Sequence, residues 1–150
     1  METMEPRDTR RPVEILQVED NLGDVRLFRE AVARWRRPCR LSVVRDGDEA
    51  MAFLLRQGPH AAAPRPDLVV LDLNLPRRDG RSVLAEMKSH PDLAAIPVVV
   101  LTSSSARRDV LESYRERANC YIVKPPEADD YLEVVKKIED FWLGVATLPT

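Results

Sequence analysis

The chain has 150 residues, 44% hydrophobic and 32% charged, with a formal net charge of −2. A chain of this length is expected to form one domain burying about two-thirds of its unfolded surface, and so nearly balanced a charge offers no general attraction to nucleic acid or an anionic membrane. No apolar stretch approaches the roughly 18 to 20 residues that span a bilayer, and the opening METMEPRDTRRP is polar rather than signal-like, so the expected location is cytoplasmic. Cys39 and Cys120 are the two cysteines, fall at the starts of separate predicted strands and have no nearby His in a ligand spacing, which points to packed thiols rather than a disulfide or a zinc site.

Residues 1–12 mix charges with two prolines and read as a flexible tail. The apolar run 13–18 reads as a strand, 22–36 as a helix, 40–44 as a strand and 48–56 as a helix. Gly and Pro breaks around an Ala run make 58–66 a surface loop, after which 68–73 is the third strand. The loop 74–80 leads into a helix ending near His90, and Pro91 and Pro97 bracket the connector to a strand at 98–101. A polar loop at 102–105 enters a helix over 108–118, followed by the last strand at 120–123. Pro125 and Pro126 then open a final helix whose first turn carries Glu127, Asp129 and Asp130, acids suited to the positive end of the helix dipole. Strict strand and helix alternation implies an α/β fold: a doubly wound parallel sheet with right-handed crossovers and helices on both faces. A flavodoxin-like five-stranded order, 2-1-3-4-5, sets the first and third strands side by side at the switch point.

In open parallel sheets, chemistry gathers at the carboxyl ends of the strands. Here Glu19 and Asp20 follow the first strand, Asp72 lies within the third, and Thr102 and Lys124 follow the fourth and fifth. Three carboxylates, a hydroxyl and an ammonium would converge on one crevice, an arrangement able to bind a hard divalent cation and to phosphorylate an aspartate. Taken singly, each has a plainer reading. The acidic pair could be a solvated loop start, Thr102 a helix cap, Lys124 a surface charge and Tyr121 a core residue. Asp72 resists that treatment, because it interrupts the apolar VVLDL, where an unpaired carboxylate is costly to bury. The five glycines form neither GxGxxG nor a GxxxxGK[ST] loop, which disfavours dinucleotide and P-loop binding. His60 and His90 have no convincing acid or nucleophile near them in sequence, and Arg34-Trp35-Arg36-Arg37, with Arg40 and Arg45, reads as a solvated helix end with one packing Trp rather than a phosphate-binding stripe.

LQVEDN at 16–21, VVLDLNLPRRDG at 69–80, VVVLTSSS at 98–105 and CYIVKPP at 120–126 together resemble the receiver domain of two-component response regulators. The resemblance runs from residue 13 to about 143. DLNLPRRDG and the tail KKIEDFWLGVATLP look closer still to single-domain regulators serving cyanobacterial and bacterial phytochrome histidine kinases. It implies that Asp72 is the phosphoacceptor, and that Mg2+ or Mn2+ is held by Glu19, Asp20, Asp72 and the backbone carbonyl of Asn74. Lys124 and Thr102 would contact phosphoryl oxygens, and Tyr121 would swing inward as Thr102 shifts. Asn74 and Ser104, two residues after the Asp and the Thr, would modulate the lifetime of the phosphoryl group. A cis bond is common in the family at the step Lys124-Pro125. Two residues depart from the usual pattern: Glu19 replaces the more frequent aspartate, and Pro126 stands where many receivers carry an aromatic or aliphatic residue.

The expectation is a stand-alone receiver, 13–143 with a short extension over 144–150, that takes phosphate from a sensor histidine kinase, a bacteriophytochrome by resemblance, and signals to an unidentified protein by changed affinity or by passing the phosphate onward. It is a switch rather than an enzyme. The competing reading is an aspartyl-nucleophile phosphatase or phosphotransferase of the haloacid dehalogenase type, which needs an acid two residues after the nucleophile where this chain has Asn74. A docking module that is never phosphorylated is a third reading, against which Asp72, Thr102 and Lys124 argue. In the last helix Tyr131, Val134, Val135 and Ile138 supply one core stripe. Phe141, Trp142, Leu143, Val145 and Leu148 then add more apolar surface than that stripe can bury. Either this end folds back on its own domain or, as the resemblance implies, it contributes to a homodimer, in which Trp142, a large aromatic, is the expected anchor.

Overall fold

The valine- and leucine-rich runs pair as parallel strands because the central ones can bury both of their faces under helices. The structure, a computed structural model, describes residues 10–150. Its strands are β1 (Val13–Val18), β2 (Cys39–Val44), β3 (Leu68–Leu71), β4 (Val98–Thr102) and β5 (Cys120–Val123), in the order β2-β1-β3-β4-β5, every neighbouring pair parallel. The helices are α1 (Leu22–Ala33), α2 (Gly47–Leu54), α3 (Gly80–Ser89), α4 (Arg107–Arg115) and α5 (Ala128–Trp142), with a 3-10 turn at Gly58–His60 inside the expected surface loop. The flavodoxin-like, doubly wound α/β architecture expected from the alternation is the one observed.

Strand side chains alternate between two cores, as the period of two requires. Leu16, Val18, Val69, Leu71, Val98 and Val100 pack with Met51 and Leu54 of α2 and Val83, Leu84 and Met87 of α3. Ile15, Val70, Val99 and Leu101 face the other way, onto Phe28 and Val32 of α1 and Tyr131, Val135 and Ile138 of α5. Trp35 joins this second core with its ring edge-on to Phe28, 6.1 Å between centroids, as expected of a packing Trp at the helix end. Both cysteines are free and half-buried, and burial pushes the Cys39 thiol up to about 12.

Helix ends differ from the expected boundaries for local reasons. α2 and α4 stop early because Arg56 and Arg117 adopt left-handed backbone, with φ of 56° and 68°. Beyond them the N–H of Gln57 reaches back to the Ala52 carbonyl at 2.8 Å, and that of Ala118 to Ser113 at 2.9 Å. These are C-terminal caps in which Arg holds the place usually taken by Gly. Pro125 and Pro126 lie outside α5, whose N-cap position is the extended Glu127. No cis peptide bond occurs among the described residues, so the bond before Pro125 is trans rather than the cis form common in the family. Of the expected N-terminal tail, 1–9 fall outside the described residues. Arg11 is bound to both oxygens of Asp67, at 2.8 and 3.1 Å. Among the described residues no helix is long and apolar enough to cross a membrane.

One glycine fixes the loop that follows β3. A Cβ at Gly80 would stand 2.3 Å from the Asp72 carbonyl oxygen and 2.6 Å from the Leu73 Cα, so the first residue of α3 is pressed directly against the backbone carrying Asp72. Gly80→Ala is therefore expected to lower stability by roughly 1–3 kcal/mol, the usual range for overpacking. Denaturant melts check the loss, and the Asp72 and Leu73 amide resonances should shift with it.

Candidate functional site

Strand register delivers the candidate groups to one crevice. Val18 pairs with Leu71 and Thr102 with Val123, so the next residues, Glu19, Asp72 and Lys124, emerge together at the carboxyl edge. Backbone bonds carry the ladder one step further: the Asp72 N–H reaches the Val18 carbonyl at 3.0 Å, and the Lys124 N–H reaches the Thr102 carbonyl at 2.7 Å. Glu19, Asp72, Thr102 and Lys124 are all buried.

Asp72 is held from several sides. Its Oδ1 accepts the Asn74 N–H and the Thr102 hydroxyl, each at 2.9 Å, and its Oδ2 accepts the Lys124 ammonium at 2.7 Å. Thr102 is therefore no helix cap; α4 has Ala106 at its N-cap position, without a side-chain bond. Nor is Lys124 a surface charge. Its Nζ also donates to Glu19, and to Asp24 Oδ2 at 2.8 Å. Asp24 escaped the sequence reading. Its N–H is capped by the Asn21 side chain at 3.1 Å, which sets Asp24 in the first turn of α1. An acid three residues after an N-cap Asn was the available signal.

Charge in the crevice is unbalanced. Burial, and then a hydrogen bond shared with Asp72, raise the Glu19 carboxyl to about 7. Burial also works against an ionised Asp72, yet the hydrogen bonds from Glu19, Lys124 and the Asn74 N–H outweigh it and hold that carboxylate below its ordinary range. For Lys124 burial is likewise outweighed, by Asp24, Asp72 and Glu19, and its pKa rises. The donors are carboxylate and carbonyl oxygens, the set that suits Mg2+, Ca2+ or Mn2+. More negative charge than one ammonium balances is what a divalent cation would neutralise, so the residues fit one. No three His, Cys, Asp or Glu side chains among the described residues stand together as a finished cage. Glu19 and Asp72 meet, whereas Asp20 is exposed and faces the Arg45 guanidinium, 3.2 Å from its carbonyl and 3.6 Å from its carboxylate.

The remaining candidates lie around the rim or far from it. Asn74 is exposed at the mouth. Ser104 donates its hydroxyl to Asp109 Oδ2 at 2.5 Å, and the half-buried Tyr121 donates its own to the Ser104 carbonyl at 2.7 Å. Tyr121 packs on the first core while bonding to the loop that follows Thr102, so it is part core and part rim. Phe141, Trp142, Leu143 and Val145 are elsewhere. Trp142, Leu143 and Val145 share a hollow with Val13, at the start of β1. Trp142, Leu143 and Leu148 pack partly on the second core, leaving Phe141 and Val145 as the exposed apolar residues there, 52% and 77% accessible.

Comparison with known proteins agrees with this geometry. A family model described as the response regulator receiver domain matches residues 15–136. Response regulator Rcp1 of Synechocystis sp. is 49% identical over 138 residues, spanning 92% of this chain and 94% of that protein. The crystal structure of the phosphorylated cyanobacterial phytochrome response regulator RcpA aligns with a TM-score of 0.91 at 51% identity, over 93% of this chain and 99% of that one. The Mn(2+)-bound form of response regulator Rcp1 gives 0.90 at 49% identity, over 93% and 100%. The chain belongs to the response regulator receiver family, whose members are signalling switches rather than turnover enzymes, and the haloacid dehalogenase alternative is set aside.

The Glu19 carboxyl binds its proton more tightly in the folded chain than in the unfolded one, where its pKa is near 4.5. Its contribution to stability is thus complete below about 4.5 and lost as pH rises through about 7. The depressed Asp72 contributes in the opposite sense, losing its share as pH falls through its folded value. In cation-free buffer the wild type should lose stability relative to Glu19→Gln as pH rises from about 4.5 to about 7. Thermal melts across that range test it, and parallel profiles for the two proteins would mean that Glu19 titrates normally.

Proposed function

We propose that this chain is a phosphorylation-controlled switch in which Asp72 accepts a phosphoryl group from a phosphohistidine of a sensor histidine kinase. The observation that carries the reading is the Asp72 carboxylate, ionised below its ordinary range and oriented by Thr102, Asn74 and Lys124. In the transfer the P–N bond of the donor breaks and a P–O bond to an Asp72 oxygen forms. The electron pair stays with the donor imidazole, and an acyl phosphate is left on the receiver. The incoming group is already anionic, so the reaction needs fixed positive charge. Lys124 supplies part of it as a compact ammonium, aimed at Asp72 Oδ2 from 2.7 Å.

Mg2+, or Mn2+ in its place, would be held by Glu19, Asp20, Asp72 and the backbone carbonyl of Asn74, and when bound would neutralise the phosphoryl oxygens. Asp20 must leave Arg45 to join this set. Glu19 must release its proton, which with a pKa of about 7 it can do near neutrality. After transfer the Thr102 hydroxyl turns from Asp72 to a phosphoryl oxygen and Tyr121 follows, so that bond formation is read out as a loop movement. Asn74 and Ser104 flank the phosphoryl group and tune its lifetime.

Similarity to RcpA and Rcp1 supports a phytochrome-type kinase as the donor, in the cytoplasm, with a further protein as the receiver of the signal. The domain is 13–143. Its extension, 144–150, together with Phe141, Trp142 and Leu143, forms the contact of a homodimer. Exposed Phe141 and Val145, supported from beneath by Trp142 and Leu143, are the apolar surface available for it. A two-fold interface of that kind should bury on the order of 1,600 Å2.

With Mg2+ and a small phosphodonor, the intact mass of the wild type should rise by one phosphate, while Asp72→Asn, nearly isosteric but not nucleophilic, should stay unmodified and folded. An adduct on the variant at the wild-type rate would sink the assignment. Sedimentation tests the dimer: the wild type should associate at tens of micromolar, and Trp142→Ala or Val145→Asp should shift it toward monomer. A wild type that is monomeric with and without phosphodonor rules the interface out.

A further inference from the structure

The loop after Thr102 is tied down away from the crevice. Ser104 donates to Asp109 Oδ2 at 2.5 Å, and Asp109, in the first turn of α4, is in turn ion-paired with Arg81 of α3. Arg81 also reaches Glu112 Oε2 at 3.4 Å and Asp79 Oδ2 at 3.2 Å. Arg108 holds the other oxygen of Glu112 at 2.9 Å. From the far side the Tyr121 hydroxyl bonds the Ser104 carbonyl at 2.7 Å. One arginine on a neighbouring helix thus anchors the acid that anchors the loop.

We infer that Arg81 is a positioning residue for the switch: through Asp109 it holds Ser104, and so the loop of Thr102, in the unphosphorylated arrangement. The inference rests on the reading of Asp72 as phosphoacceptor. Thr102 donates to Asp72 Oδ1 at 2.9 Å. A phosphoryl group on Asp72 brings three new oxygens into that space, so Thr102 must turn toward one of them, drawing residues 103–105 with it. Ser104 is two residues away and fixed at both its hydroxyl and its carbonyl. A contact made only in the fixed arrangement lowers affinity for any ligand that selects the other, by the same factor by which it favours the first. Arg81 and Asp109 are 35% and 22% accessible at the side chain, so the factor is small, about three- to fivefold for a partly exposed pair.

The test uses the whole chain with beryllofluoride, a phosphoryl analogue, in Mg2+, and compares wild type, Arg81→Ala, Arg81→Lys, Ser104→Ala and Asp72→Asn. Arg81→Ala and Ser104→Ala should bind the analogue about three- to fivefold more tightly, with Arg81→Lys between them and the wild type. Amide hydrogen exchange of residues 103–108, measured without any phosphoryl group, should quicken in the Arg81→Ala and Ser104→Ala variants. Unchanged exchange or unchanged affinity in both variants overturns the inference. A wild type that takes the analogue no better than Asp72→Asn overturns the phosphoacceptor reading instead, and the exchange arm still reports whether Arg81 clamps the loop. Ser104→Ala, a small change at the rim, keeps the test open should Arg81→Ala fail to fold.

Discussion

Everything at the carboxyl edge of the sheet depends on one buried ammonium among carboxylates. Lys124 donates to Glu19, Asp24 and Asp72 at once, and without it these acids would share a desolvated crevice with no fixed cation, an arrangement that costs several kcal/mol per uncompensated charge. With it, the balance is still negative. Glu19 answers by holding a proton up to about pH 7, while Asp72, with the better hydrogen bonds, stays ionised. Two neighbouring carboxyl groups are thereby driven apart in acidity, one toward proton storage and one toward nucleophilicity.

The fold exists to make that crevice rigid below and loose above. Beneath the site β1, β3 and β4 are buried on both faces, and Gly80 lets α3 lie directly against the backbone of Asp72. Above it, the loop that starts at Ser103 is held by individual side-chain bonds at Ser104, from Asp109 and from Tyr121 of β5, and Thr102 at the end of β4 is bonded singly to Asp72. Those bonds can be exchanged singly. A packed core offers no comparable choice, since its side chains interdigitate at near-crystalline density.

The strands and their order were legible because each is a short Val- and Leu-rich run and because alternation with helices leaves few topologies. Once the order is known, Glu19 beside Asp72 follows from register. The helix ends were not, because Arg56 and Arg117 hold left-handed conformations that composition assigns to Gly or Asn. Asp24 was hidden for a different reason: its partner Lys124 lies 100 positions away, and nothing local distinguishes it from any acid in a first turn. The same applies to Arg81 and Asp109, 28 positions apart on separate helices. Apolar excess at the C-terminal end was visible, but its division into Trp142 and Leu143 against the core and Phe141 and Val145 outside depends on where α5 stops.

At the opposite edge of the sheet, the pair formed by Arg11 and Asp67 bears on where the folding unit begins. Asp67 is 5% exposed, and it joins the start of β1 to the start of β3 by accepting the Glu14 N–H at 2.8 Å and the Arg11 guanidinium on both oxygens. Arg11 precedes the first strand residue, Val13. A fragment trimmed to the sheet itself would leave this carboxylate desolvated with only a backbone partner. The autonomous unit therefore starts at residue 11 at the latest, two residues ahead of its first strand, and fusions or linkers are best joined before that arginine.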